Sequence, residues 1–143
     1  MQRRNLIQLA LAGAASGILA PSVLQASPKS NDPNAMAGGV FYTKDAQGRW
    51  SGKAGSHLPN IEIKKKGEDV SVKITTDHVM NGYKHYIVKH TLLDKNYNFL
   101  GEKMFNPEED EAISTFSLSK YSGPIYALSN CNKHDTWLST AEV

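Results

Sequence analysis

From residue 39 onward, turn-forming residues cut the chain at short, regular intervals, and no stretch between them keeps a helical period of useful length. Ile61-Glu62-Ile63-Lys64 and Val70-Ser71-Val72-Lys73-Ile74 alternate apolar with polar around Gly67-Glu68-Asp69, which reads as a hairpin. Val40–Tyr42 reads as a short strand, Lys84–Leu93 as a longer one, and Asp94–Asn98 as a turn. Phe99–Phe105 follows, then an acidic loop, Glu108-Glu109-Asp110-Glu111. Ala112–Leu118 alternates again, Ser122-Gly123-Pro124 turns into Ile125–Ser129, and a last strand starts near Trp137. This pattern predicts an all-β chain, an antiparallel β-sandwich of about seven strands. There is no internal repeat and no second domain.

The first residues follow another logic. Arg3-Arg4 precede an apolar run from Leu6 to Ala20, Pro21 breaks it, and Leu24-Gln25-Ala26 offers a cleavage site. This is the layout of an export signal, of the twin-arginine type. The run is too short and too rich in Gly and Ala for a transmembrane helix; an uncleaved anchor is the other reading. The expected organisation is a signal over 1–26, a polar lead-in over 27–38 and one domain over 39–143, exported, with the periplasm as destination. The roughly 117 residues left after a cut at Ala26 bury about two-thirds of their unfolded surface, enough for one core.

The formal charge of +2 comes from 16 Lys+Arg against 14 Asp+Glu, and removal of Arg3 and Arg4 brings it to zero. Nothing in that balance points to nucleic acid or an anionic membrane. Lys64-Lys65-Lys66 reads as a solvated strand end.

Chemistry is concentrated in five histidines and one cysteine. Cys131 cannot form an internal disulfide, and a free thiol is a liability in an oxidising compartment, so metal ligation is one explanation for it. In Cys131-x-x-His134 the two side chains reach one metal only through a turn, which Asn130 and Asn132 favour. His57 lies in a loop stiffened by Pro59, and His78 in a loop that Met80-Asn81-Gly82 lets curl. His85 and His90 are five apart on one expected strand and so face opposite sides; His85 is the candidate ligand and His90 a packed or rim residue. Structural zinc wants four ligands, usually richer in sulfur. Type-1 copper would use two histidines, the cysteine and often a trailing Met, and no Met follows Cys131. Four imidazoles and one thiolate suit a square-pyramidal iron with one open position.

Three segments carry a resemblance: His57-Leu58-Pro59, Lys84-His85-Tyr86-Ile87, and Ile125-Tyr126-Ala127-Leu128-Ser129-Asn130-Cys131-Asn132-Lys133-His134-Asp135-Thr136-Trp137. Over roughly Trp50 to Trp137 the chain resembles superoxide reductases, the neelaredoxin and desulfoferrodoxin iron domains. The resemblance implies an immunoglobulin-like sandwich with one iron ion, His57, His78, His85 and His134 equatorial and Cys131 axial. It implies reduction of superoxide to hydrogen peroxide and re-reduction by an external donor such as a rubredoxin-type carrier. Related proteins are often homodimers or homotetramers. The rubredoxin-like module of desulfoferrodoxins needs four cysteines and is absent.

The sequence departs from the family in two places. The Glu-Lys that commonly precedes the first histidine is Gly55-Ser56 here, leaving Lys53, Lys84 or Lys133 as candidates to attract the anion; Lys53 is the expected catalytic lysine. Gly101-Glu102-Lys103 repeats the letters without the histidine. The His78–His85 spacing is one residue longer than usual. A non-catalytic iron-binding or redox-sensing domain of the same fold is the second reading, and a metal-free structural sandwich the third.

Overall fold

A computed structural model describes residues 33–143; the expected signal over 1–26 and the start of the lead-in lie outside the described residues. The alternating segments become seven strands: β1 Asn60–Lys66, β2 Asp69–Thr75, β3 Ile87–Leu93, β4 Phe99–Met104, β5 Ile113–Ser119, β6 Pro124–Cys131 and β7 Asp135–Glu142. They pair antiparallel in two sheets, one ordered β1-β2-β5 and the other β4-β3-β6-β7. The expected all-β sandwich of seven strands is therefore present.

Period-two patterning places the core. Val70, Val72 and Ile74 of β2 meet Leu92 of β3 and Ile125 and Ala127 of β6, all buried, while the residues between them face outward. In β1 the alternation gives way to Lys64, Lys65 and Lys66, all exposed, where the edge of the sheet meets solvent. The β1–β2 hairpin turns through Gly67 and Glu68 alone, with Gly67 at φ 63.

Three expected elements differ in detail. Val40–Tyr42 is not a strand of either sheet. It makes isolated bridges, Ala37 with Phe41 and Tyr42 with Trp137, and the Tyr42 amide donates to the Thr136 carbonyl at 2.9 Å while its carbonyl accepts from Leu138 at 2.8 Å. The segment thus shields the outer edge of β7 and buries Tyr42 against Trp137. The strand expected from Lys84 begins at Ile87, because Gly82–Lys84 forms a 3-10 turn. A bulge between Ile87 and Lys89 then lets Ile87, His90 and Leu92 all point inward, although 87 and 90 differ in parity. The final strand starts at Asp135 rather than near Trp137.

The segment before the first α-turn packs by close backbone approach. Gly48 has φ 48, and a Cβ there would lie 2.1 Å from the Gly38 carbonyl oxygen; Gly52 has φ 84 but a Cβ there would meet nothing within 4 Å. A left-handed alanine alone costs about 1–2 kcal/mol. Gly52→Ala is expected to cost that much in denaturant unfolding and Gly48→Ala clearly more; equal losses would show that the contact with Gly38 contributes nothing.

Candidate metal centre

Each histidine reaches one point from a different support. A single α-turn, Ala54–His57, carries His57 at its last position, where it is 2% exposed. Its Nδ1–H donates to the Lys53 carbonyl at 3.0 Å, with Ser56 Oγ 2.9 Å away. That fixes the tautomer and leaves the Nε2 lone pair free to ligate. His78 follows β2 by three residues, and its amide donates to the Thr76 carbonyl at 2.8 Å. Its Nδ1 is buried beside the Val79 backbone without a well-formed hydrogen bond. His85 closes the small loop in which the Asn81 amide donates to the His85 carbonyl at 3.0 Å.

Cys131 and His134 stand on the β6–β7 hairpin. Cys131 pairs with Asp135 across a three-residue loop, and Asp135 takes φ 60, a left-handed conformation that Asp tolerates better than most residues. Arg49 and the Trp50 indole (2.8 Å) bind the Asp135 carboxylate and hold it below the usual carboxylate range. The Trp137 indole donates to the His134 carbonyl at 2.9 Å, and the Trp50 and His134 rings stand nearly perpendicular with centroids 4.7 Å apart.

The four rings form a near-square. Their centroids lie 4.7 Å apart for His57–His78, 4.5 Å for His78–His85, 4.8 Å for His85–His134 and 4.7 Å for His134–His57, with a diagonal of 6.2 Å for His57–His85. Neighbouring rings are steeply inclined, at 67–89°. Their inner nitrogens are Nε2 of His57, His78 and His85 and Nδ1 of His134. Contacts between them are 2.9 Å (His57–His134), 3.1 Å (His85–His134) and 3.1 Å (His78–His85). A square of that edge has its centre about 2.1 Å from each corner, the length of a metal–imidazole bond.

The Cys131 sulfur lies off the square, 3.6 Å from His134 Nδ1 and 3.9 Å from His78 Nε2, and all five ligand atoms lie within 4.8 Å of one another. Cys131 is 6% exposed, packed among Ile87, Phe105 and Ala112 with Met80 alongside, and accepts the Lys133 amide at 3.4 Å. Five donor atoms converging this closely, four imidazole nitrogens and one sulfur with no carboxylate among them, fit a borderline transition-metal ion.

Electrostatics keep the imidazoles neutral, as ligation requires. Burial is the main cause in all four, and it pushes His57 down to about 4. The charges of Lys53 and Lys133 also depress His85 and His134, so both ammonium groups lie close enough to the site to act on an approaching anion.

All five expected ligand residues, His57, His78, His85, Cys131 and His134, come together, and Lys53 supplies both a carbonyl to His57 and a charge to the rim. His90 is excluded from the cluster and fully buried. The reason first given for separating it from His85 does not hold, since His85 precedes the strand instead of sharing it. Sequence reasoning missed Asn132 as more than a turn former. Its Oδ1 accepts the Tyr86 amide at 3.0 Å, its Nδ2 donates to the carbonyls of Tyr83 (3.2 Å) and Lys84 (3.3 Å), and its amide donates to the Tyr86 carbonyl at 3.2 Å. One side chain beside Cys131 thereby ties down the segment carrying His85. The position of Asn132 inside Cys131-x-x-His134 was the available signal.

The Desulfoferrodoxin family profile matches residues 49–140, well over half of the chain. A curated superoxide reductase of Pyrococcus furiosus is 32% identical over 111 residues, covering 63% of this chain and 88% of the relative. The solved superoxide reductase (neelaredoxin) of Ignicoccus hospitalis superposes with a TM-score of 0.62 at 30% identity, covering 73% of this chain and 94% of that one. A superoxide reductase from Nanoarchaeum equitans, at 22% identity and TM-score 0.55, covers 62% of this chain and 93% of its own length and shares the fold.

Two outcomes follow for the isolated site. Asn132→Ala is expected to weaken metal binding by about 10- to 100-fold, the usual effect of losing a group that orients ligands; unchanged affinity in a competitive chelator titration would remove Asn132 from that role. In metal-free protein, His57 and His90 bind protons only near pH 4 when folded but near their ordinary 6.5 when unfolded. Below 6.5 the unfolded chain takes up protons the folded one refuses, so stability is full above that value and is lost as pH falls toward about 4. Denaturant midpoints measured at about pH 7 and pH 5 should show the drop; a flat profile would contradict burial of these neutral rings.

Proposed function

The chain belongs to the desulfoferrodoxin family, and on that premise we propose that it reduces superoxide to hydrogen peroxide at one iron ion held by His57, His78, His85, His134 and Cys131. One iron ion is the family's cofactor, and the His/Cys cluster is able to hold a metal ion. The observation that carries the reading is the square of imidazole nitrogens with a thiol sulfur set off it.

Superoxide takes one electron and two protons to become hydrogen peroxide. The bound ion supplies the one-electron chemistry. His57, His78, His85 and His134 would hold it as neutral ligands, and the Cys131 thiolate would add electron density that favours giving up the electron. Lys133 restrains that density through its amide hydrogen bond to sulfur. The ammonium groups of Lys53 and Lys133 draw in the anion, taking the place of the lysine absent at Ser56, whose hydroxyl instead lies against His57 Nδ1. The protons come from solvent. An external electron donor, which we assign to the rubredoxin type, returns the electron. Residues 1–26 support a reaction outside the cytoplasm, after twin-arginine export. Assembly as a homodimer or homotetramer is part of the same proposal.

The Gly55-Ser56 departure favours a second reading, a non-catalytic iron-binding or redox-sensing domain. Rapid mixing of reduced, iron-loaded protein with superoxide separates the two. Stoichiometric peroxide with the appearance of a thiolate-to-ferric band, bleached again when an electron donor is added, supports the reductase, and Cys131→Ser should abolish the band. Binding of iron without superoxide consumption would leave the sensing domain.

Lys53→Ala is expected to lower the second-order rate constant for superoxide by about tenfold at low ionic strength, with the gap closing as salt is added. A rate constant indifferent to both the substitution and the salt would contradict steering by Lys53.

A further inference from the structure

Between the apolar core and the metal cluster lies a layer of buried polar side chains that the proposed reaction does not use. At its centre is His90 of β3, fully buried, whose partner across the β3–β6 ladder is Ser129. Thr76 Oγ1 donates to Ser129 Oγ at 2.9 Å and stands 2.9 Å from His90 Nε2. A threonine hydroxyl has one proton, so the His90 Nε2–H is the donor to Thr76. His90 Nδ1 is then the acceptor, and Ser114 Oγ–H donates to it at 2.9 Å.

The bonds run in one direction, from Ser114 of β5 through His90 of β3 and Thr76, just after β2, to Ser129 of β6. They pass between the two sheets three times. Burial, with a smaller contribution from Lys103, pushes the His90 pKa down to about 4, so the ring is neutral and this donor order is stable at neutral pH.

Two members of this chain, Thr76 and Ser129, adjoin the metal cluster. Thr76 lies two residues before His78, and its carbonyl accepts the His78 amide. Ser129 lies two residues before Cys131 on the same inward face of β6. The Phe105 and His90 rings pack nearly perpendicular with centroids 4.9 Å apart, and Phe105 belongs with Ile87 and Ala112 to the apolar group around Cys131. A leucine at position 90 would fill the space without satisfying Thr76 and Ser114, and burying an unpaired hydroxyl is costly. The polar ring therefore holds two segments in register that apolar packing alone would let slide.

We infer that His90 is a positioning residue for the metal centre, its hydrogen-bonded chain setting the separation between the segment that carries His78 and the strand that carries Cys131. The inference rests on the reading of the cluster as an iron centre. Loss of His90 then alters the iron–thiolate geometry, where a residue needed only to hold the sheets together would alter stability alone.

The test compares iron-loaded parent, His90→Leu and His90→Gln for iron affinity, thiolate-to-ferric absorption and midpoint potential, beside denaturant stability. His90→Leu is expected to bind iron at least about tenfold more weakly, with a displaced absorption band and a shifted potential. His90→Gln, which keeps one donor and one acceptor, should restore all three toward the parent. If His90→Leu does not fold, Thr76→Val and Ser114→Ala each break one link. Thr76→Val, the link next to His78, should then disturb the band more than Ser114→Ala. Variants that lose stability while keeping the parent's affinity, band and potential overturn the inference and leave the iron reading standing. A parent protein with no thiolate-to-ferric band overturns the iron reading, and this inference with it.

Discussion

The pairing of Ile87 with Cys131, at the point where β3 meets β6, is the constraint from which the rest of the site follows. It brings the loop before β3, with His85, against the hairpin after β6, with Cys131 and His134. Asn132 then locks the two together through backbone hydrogen bonds on both sides of His85. The bulge just after Ile87 allows one strand to turn both Ile87 and His90 inward, so the same stretch packs beneath the sulfur and anchors the layer below it. His57 and His78 are delivered by loops that have only to reach this prepared corner.

The corner combines opposite demands. Five ligand atoms within 4.8 Å would repel if the imidazoles were charged, and burial removes that difficulty by keeping them neutral. The His57 Nδ1 bond to a backbone carbonyl turns its other nitrogen inward, and Trp50 and Trp137 brace the His134 side. The sulfur sits in an apolar collar, away from solvent oxidants, while Lys53 and Lys133 place positive charge beside His85 and His134. An anion is thus attracted to the side of the centre where the rings are more open.

Strand alternation was readable wherever one face of a strand met solvent, as in β2 and β6. It failed at Val40–Tyr42, whose place is decided by β7 and by the buried Tyr42–Trp137 contact, neither of which is local information. It also failed at Lys84–Tyr86, where a 3-10 turn replaced the expected strand start because Asn132, far along the chain, holds those carbonyls. The five candidate ligands were visible as His and Cys letters with a turn-bound Cys-x-x-His. Their arrangement as a square was not, since it depends on loops closing across both sheets. His90 lies outside the cluster, and the two hydroxyls that satisfy it, of Thr76 and Ser114, come from segments that no local pattern links.

X-ray absorption at the iron edge of the oxidised, iron-loaded protein tests the central claim most directly. The account predicts one sulfur scatterer per iron together with four imidazole nitrogens at about 2.1 Å, in keeping with the spacing of His57, His78, His85 and His134 around one point. A first shell of nitrogen and oxygen alone, with no sulfur, would contradict it, because Cys131 would then be a buried thiol beside the metal and not its ligand.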